Sequence, residues 1–131
     1  MKVALVSPPF LGHLNVILYA FEELKKHPQV KEVHLFVLSF ESFKLENVCD
    51  KISISVESDN VTELVANTPM DEIASVFNQK RAVCLEDLLH TTLNSFEPDL
   101  IIYDFFCIEA RHVALKIGTL LLHFSALGVI A

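Results

Sequence analysis

Two kinds of apolar pattern alternate along the chain. Residues 3–6 form a continuous run rich in valine, closed by the turn formers Ser7, Pro8, Pro9 and Gly12. That is the signature of a strand buried on both faces. From Leu14 the spacing changes. Leu14, Ile17, Leu18, Phe21 and Leu24 share one face of a helix, with Glu22, Glu23, Lys25 and Lys26 on the other. Lys25, Lys26 and His27 suit the negative end of that helix, and Pro28 stops it. A second apolar run at 33–38 predicts a strand, and 39–47 a short helix. The alternation Ile52-Ser-Ile-Ser-Val56 predicts a third strand, followed by a loop at Ser58, Asp59 and Asn60. The stretch 70–96 has helical spacing, as one helix or two. Ile73, Val76 and Phe77 make one apolar set; Leu85, Leu88, Leu89 and Phe96 make another. Pro98 and Asp99 end it. A strand at 100–103 carries Asp104 at its end. Phe106, Ala110, Val113, Ala114 and Ile117 then mark the buried face of a helix closed by Gly118, and 120–124 is a fifth strand.

Strands alternating with helices predict an α/β fold, a Rossmann-like doubly wound parallel sheet with helices on both faces. At 131 residues the chain is one domain at most. It ends on an apolar run, 126–131, with no polar tail or covering helix after the fifth strand. A completed doubly wound domain shields that edge. Residues 1–131 are therefore expected to be a single partial domain, a fragment or half of a two-chain enzyme.

Composition narrows the partners. The net charge is −7, and the only basic pairs are Lys25–Lys26 and Lys80–Arg81. Nucleic-acid binding requires clustered cations, so no nucleic-acid partner is expected. The three cysteines, Cys49, Cys84 and Cys107, are odd in number and widely spaced, which fits buried thiols better than a disulfide framework. The first apolar run is too short for a signal peptide, and no stretch approaches the ~20 apolar residues of a membrane span. A cytoplasmic chain without a transmembrane segment is the expectation.

In open α/β sheets ligands bind beyond the carboxyl ends of the strands, where strand order reverses. With strand order 3-2-1-4-5, the first and fourth strands are neighbours at that point. The loop after the first strand holds Gly12 and His13, and the fourth strand ends at Asp104. His13 and Asp104 are thus expected to meet as a general-base pair, the carboxylate holding the ring tautomer and stabilising the imidazolium. Each also has an ordinary structural reading, as a loop or capping residue and as a turn former. Phe10 and Phe105 either line an apolar pocket beside the pair or serve as packing; Phe106 is read as core. There is no G-x-G-x-x-G, no P-loop and no H-E-x-x-H. Cys107, Glu109 and His112 fall on one predicted helix, but Glu109 lies off the face of the other two, so no metal site is expected. Ser125 lacks the G-x-S-x-G context of a hydrolase nucleophile.

Two segments carry a family resemblance. Ser7-Pro-Pro-Phe-Leu-Gly-His-Leu-Asn15 resembles the P-x-x-G-H-x-N stretch of the family-1, UDP-dependent glycosyltransferases of the GT-B fold. Pro98-Asp-Leu-Ile-Ile-Tyr-Asp-Phe-Phe106 resembles their P-D-x-[hydrophobic]-x-x-D-x-F stretch. The residues from Glu109 to His123 run like that family's next helix and strand. The resemblance implies that His13 deprotonates the acceptor hydroxyl, that Asp104 orients it, and that Gly12 lets the chain pass close to the ligands. Phe10, Phe105 and Ser125 join Gly12 as expected acceptor-site residues. The reaction implied is inverting transfer from a UDP-sugar to a small lipophilic acceptor, with no cofactor and no metal. Where many members have proline this chain has Val16, at a position taken to open the helix. The donor-binding C-terminal domain of the family has no counterpart here, so the chain is expected to be an incomplete N-terminal half that meets UDP-sugar only through that missing domain. A non-catalytic ligand-binding or interaction module of the same fold is the alternative; a flavodoxin-like or dehydrogenase-like domain loses support with the missing glycine fingerprints.

Overall fold

The computed structural model describes residues 1–40, 43–48, 59–66, 79–125 and 128–130, by backbone alone over 79–84 and 121–130. Its elements are β1 (Lys2–Ser7), α1 (Leu11–Lys26), β2 (Glu32–Phe40), a single 3-10 turn (Leu45–Asn47), β3 (Val61–Ala66), α2 (Gln79–Phe96), β4 (Leu100–Asp104), α3 (Ile108–Ile117), β5 (Leu120–Ser125) and β6 (Gly128–Ile130). The six strands form one sheet in the order β3-β2-β1-β4-β5-β6. β1 to β5 are parallel, and β6 folds back antiparallel against β5.

Alternate side chains of β1, β2 and β4 face opposite layers, and the two layers are separate cores. Val3 and Leu5 of β1, Val33, Leu35 and Val37 of β2 and Ile102 of β4 pack against Leu14, Ile17, Leu18 and Phe21 of α1. Those four helical positions have the i, i+3, i+4, i+7 spacing of one face. Ala4, Val6, Phe36, Leu38, Ile101 and Tyr103 face the other way, onto Leu85, Leu89 and Leu93 of α2 and Ala110, Val113 and Ala114 of α3. Among the described residues, one helix on one face and two on the other make the doubly wound arrangement expected from the sequence. β1 is buried throughout, from Val3 to Ser7, because it lies between β2 and β4 and under both layers.

The ends of the strands are tied individually. Lys2 donates its backbone N–H to Asp99 Oδ2 at 2.7 Å, and Asp99 donates its own to the Lys2 carbonyl at 2.7 Å. This fixes the starts of β1 and β4 side by side. α3 ends at Gly118 with φ +69, the left-handed conformation that glycine adopts without a Cβ penalty.

Several expectations are corrected. The described residues of 39–47 do not form the expected helix: β2 runs on to Phe40, and Leu45–Asn47 turn as 3-10. Ser39 and Phe40 are buried, so strand pairing and core burial override the local polar pattern there. A strand lies at Val61–Ala66, where none was expected; Val61, Thr62 and Val65 supply its β-branched character. The strand expected at 52–56 lies outside the described residues, as does the first part of the helix expected over 70–96. β5 is not the bare last strand, since β6 pairs with it. Val16 does not open a helix. α1 begins at Leu11, so Val16 is an interior position.

Candidate functional site

The order in which strands are added to the sheet reverses between β1 and β4, and the register Val6↔Tyr103 puts Ser7 and Asp104 next to each other at the carboxyl ends of the strands. After β1, only Pro8, Pro9 and Phe10 separate strand from helix. Gly12 and His13 therefore lie in the first turn of α1, not in a loop. Phe10 is the N-cap, with extended φ/ψ, and its carbonyl accepts the Leu14 N–H at 2.9 Å. The third helical residue, His13, is thereby turned back over the strand ends.

His13 Nδ1 and Asp104 Oδ2 are 2.8 Å apart. The Asp104 side chain is 3% exposed and the His13 side chain 20%. Asp104 uses its second oxygen as well: Oδ1 accepts the Phe106 backbone N–H at 2.9 Å, while the Asp104 carbonyl accepts the Cys107 N–H at 2.8 Å. The turn that leads into α3 thus locks the carboxylate in place. The structural reading of Asp104 as a turn former and the functional reading as a partner of His13 are both satisfied, by different oxygens. An ionised carboxylate only accepts, so the bond requires the proton on Nδ1 and leaves Nε2 as the ring atom able to take another.

Aromatic rings surround this pair. The His13 ring lies 4.7 Å from Phe106, 5.8 Å from Phe105 and 6.2 Å from Phe10, centroid to centroid. Phe105 and Phe106 are 4.4 Å apart. Phe105 is 39% exposed, beside the half-buried His13. Phe106 is not on the helix face read from the sequence, because α3 starts only at Ile108; it sits in the turn against the imidazole. Phe43, from the segment whose pattern predicts a helix, also belongs here. Its ring is 5.5 Å from Phe10. Nothing in the sequence pattern singled Phe43 out, because it reaches the site only through the extension of β2.

Of the other expected acceptor-site residues, Gly12 is exposed, and a Cβ added to it meets nothing within 4 Å. Ser125 ends β5, next to β4, with its backbone paired to Gly128; its side chain lies outside the described residues. Cys107, Glu109 and His112 do not gather. Cys107 and Glu109 are buried, whereas His112 is exposed and bonded through Nδ1 to Glu86 Oε1 at 2.8 Å. Among the described residues no group of three His, Cys, Asp or Glu is arranged to hold a metal ion. No helix among them is long and apolar enough to cross a membrane.

No family model matches the sequence, and no curated protein matches it. Solved structures do. The glycosyltransferase of kitacinnamycin superposes with a TM-score of 0.67 at 21% identity, over 95% of this chain and 30% of that one. Phytolacca americana UGT2, complexed with UDP-2fluoro-glucose and pterostilbene, gives 0.68 at 14% identity, over 95% and 30%. UDP-GlcNAc 2-epimerase from Neisseria meningitidis, bound to UDP-GlcNAc, gives 0.62 at 16% identity, over 95% and 32%. The chain thus spans about a third of the length of these proteins. At such identities the likeness is one of fold, and the epimerase shows that one fold serves more than one reaction. The chain has the Rossmann-like α/β fold found in part of these GT-B glycosyltransferase structures.

Proposed function

We propose that this chain belongs to the family-1, UDP-dependent glycosyltransferases and is the base-carrying, acceptor-binding part of such an enzyme. The observation that carries this reading is the 2.8 Å bond between His13 Nδ1 and Asp104 Oδ2 at the topological switch point of the sheet. His13 Nε2 takes the proton of an acceptor hydroxyl as its oxygen attacks the anomeric carbon of a UDP-sugar. The new carbon–oxygen bond forms on the face opposite the departing UDP, so the configuration inverts. The bond to the UDP oxygen breaks, and UDP leaves with the electron pair. Asp104 keeps the ring in the tautomer that exposes Nε2 and stabilises the imidazolium once formed. Phe10, Phe105 and Phe106 make the surroundings of His13 apolar, which suits a small lipophilic acceptor. The donor is held by a separate domain, residues 1–131 being one partial domain, and neither a metal nor another cofactor takes part. A cytoplasmic location belongs to the same proposal.

The test is turnover of a UDP-sugar by the full-length enzyme. His13→Ala is expected to lower the rate by about 10²–10⁴-fold, the usual contribution of a positioned base. Unchanged turnover in that variant rules the reading out. The second reading, a non-catalytic module of the same fold, draws on the structural use of Asp104, whose Oδ1 and backbone carbonyl hold the turn into α3. It predicts acceptor binding without transfer in any context.

A further inference from the structure

The carboxylate of Glu63 sits on β3, two strands away from β1, and takes no part in the chemistry described above. Its Oε2 accepts the Ser39 hydroxyl at 2.5 Å and the Leu45 backbone N–H at 2.5 Å. Ser39 is wholly buried near the carboxyl end of β2. Glu63 pairs in register with Val37, so Glu63, Val37 and Ser39 share the face covered by α1. A partly buried carboxylate with two hydrogen-bond donors on one oxygen is costly to leave unpaired, so it holds what it binds firmly. What it binds is the segment that follows β2. Leu45 packs into the α1-side core, and Phe43, joined to Phe40 by two backbone hydrogen bonds, touches both cores. From there the contacts run to the reacting group: Phe43 to Phe10 at 5.5 Å, and Phe10 to His13 at 6.2 Å.

We infer that Glu63 is a positioning residue for the acceptor: by clamping Ser39 and Leu45 it fixes Phe43 and, through it, the Phe10 wall beside His13. This rests on the glycosyl-transfer reading for its consequence, but the clamp itself is independent of it. The acceptor, an apolar molecule carrying one hydroxyl, would touch the Phe43–Phe10 side of the site and not Glu63.

The experiment is a double-mutant cycle with Glu63→Leu and Phe43→Ala in the full-length enzyme. Glu63→Leu is expected to raise the acceptor KM by about tenfold with kcat changed less than about threefold, the pattern of lost positioning and not of lost chemistry. Glu63→Gln, which keeps one accepting oxygen, is expected to restore most of the KM. On top of Phe43→Ala, Glu63→Leu should add less than about twofold, because the path is already cut. Additive effects overturn the inference, as does a kcat loss equal to the KM effect. If Glu63→Leu does not fold, the same cycle is run with Ser39→Ala, which removes one of the two donors that Glu63 holds, and read by the same additivity. A fluorine label on Phe10, read by NMR in the full-length protein without acceptor, separates the two proposals. A signal indifferent to both Glu63 variants overturns the clamp. A signal that moves, in a protein that transfers no sugar, overturns the transferase reading and with it the role of Glu63 toward an acceptor.

Discussion

Asp104 has two carboxylate oxygens, and both are engaged: Oδ2 by His13 and Oδ1 by the Phe106 N–H. An asparagine has only one accepting oxygen. The backbone N–H cannot change its role, whereas the imidazole can change its tautomer. In Asp104→Asn the amide oxygen therefore stays with Phe106 and the NH2 donates to His13 Nδ1. The ring proton then sits on Nε2, where the acceptor hydroxyl should deliver its own. The expected result is a fold-preserving variant with turnover reduced by about 10²–10⁴-fold. A variant that keeps full turnover would mean that Asp104 serves only its turn. Gly12 offers the opposite kind of test. It is the second residue of α1, where glycine costs helix stability, and the space a Cβ would enter is empty of protein. Gly12→Ala should raise unfolding free energy by roughly 0.5 kcal/mol in urea titrations. If the open space is where ligand passes, the same variant loses acceptor affinity; stability and activity then move in opposite directions.

At the scale of elements, the sheet is held to α2 partly through a histidine. His34 of β2 bonds by Nε2 to Thr62 Oγ1 of β3 at 2.7 Å and stacks on Phe36 at 4.5 Å, with Phe96 of α2 at 5.7 Å. Burial lowers its pKa below the ordinary 6.5, and the nearby Glu32 only partly offsets this. Lys2 also lies over the Phe96 ring. A folded-state histidine of lowered pKa binds a proton more weakly than the unfolded chain does. Its contribution to stability is complete above about pH 6.5 and is lost as the pH falls through the lowered folded value. The urea midpoint of the wild type should therefore decline on acidification below about pH 6.5 more steeply than that of His34→Gln. Parallel pH profiles would show that His34 carries no such linkage. The elements themselves were legible from the sequence to an uneven degree. β1, α1, β4 and α3 stand out because their burial is set by their own periodicity, as at Leu14, Ile17, Leu18 and Phe21. β3 and the extension of β2 do not, because the buried Ser39 and the partly buried Glu63 are polar groups satisfied by bonding to each other. A single-sequence pattern reads them as loop or helix. The same blindness applied to the site. Strand-end position singles out His13 and Asp104 as candidates, with Phe10, Phe105 and Phe106 flanking them, but it reads Phe106 as helix-face core and misses Phe43, since the places of these two depend on where α3 begins and where β2 ends.

Four of the described lysines gather at one end of the sheet. Lys2, Lys25, Lys26 and Lys31 lie where β1 starts, where α1 ends and just before β2 starts, at the amino ends of the strands. The His13–Asp104 pair lies at the carboxyl ends, among phenylalanines. A diphosphate is bound by helix N-termini backed by glycine-rich loops or by cations. The chain has no glycine-rich phosphate motif, and those four lysines are at the wrong end. An aromatic rim, by contrast, suits the apolar body of an acceptor. Residues 1–131 alone are therefore expected to bind acceptor without binding UDP. Followed by NMR, the His13 and Phe105 ring signals should shift on titration with an apolar phenol and stay still with UDP at millimolar concentration. Joined to a donor-binding domain, the same residues should respond to both, and transfer should begin. UDP-dependent shifts at His13 in the 131 residues by themselves would instead place the nucleotide on this sheet and make the imidazole a phosphate ligand, with the proton chemistry assigned elsewhere.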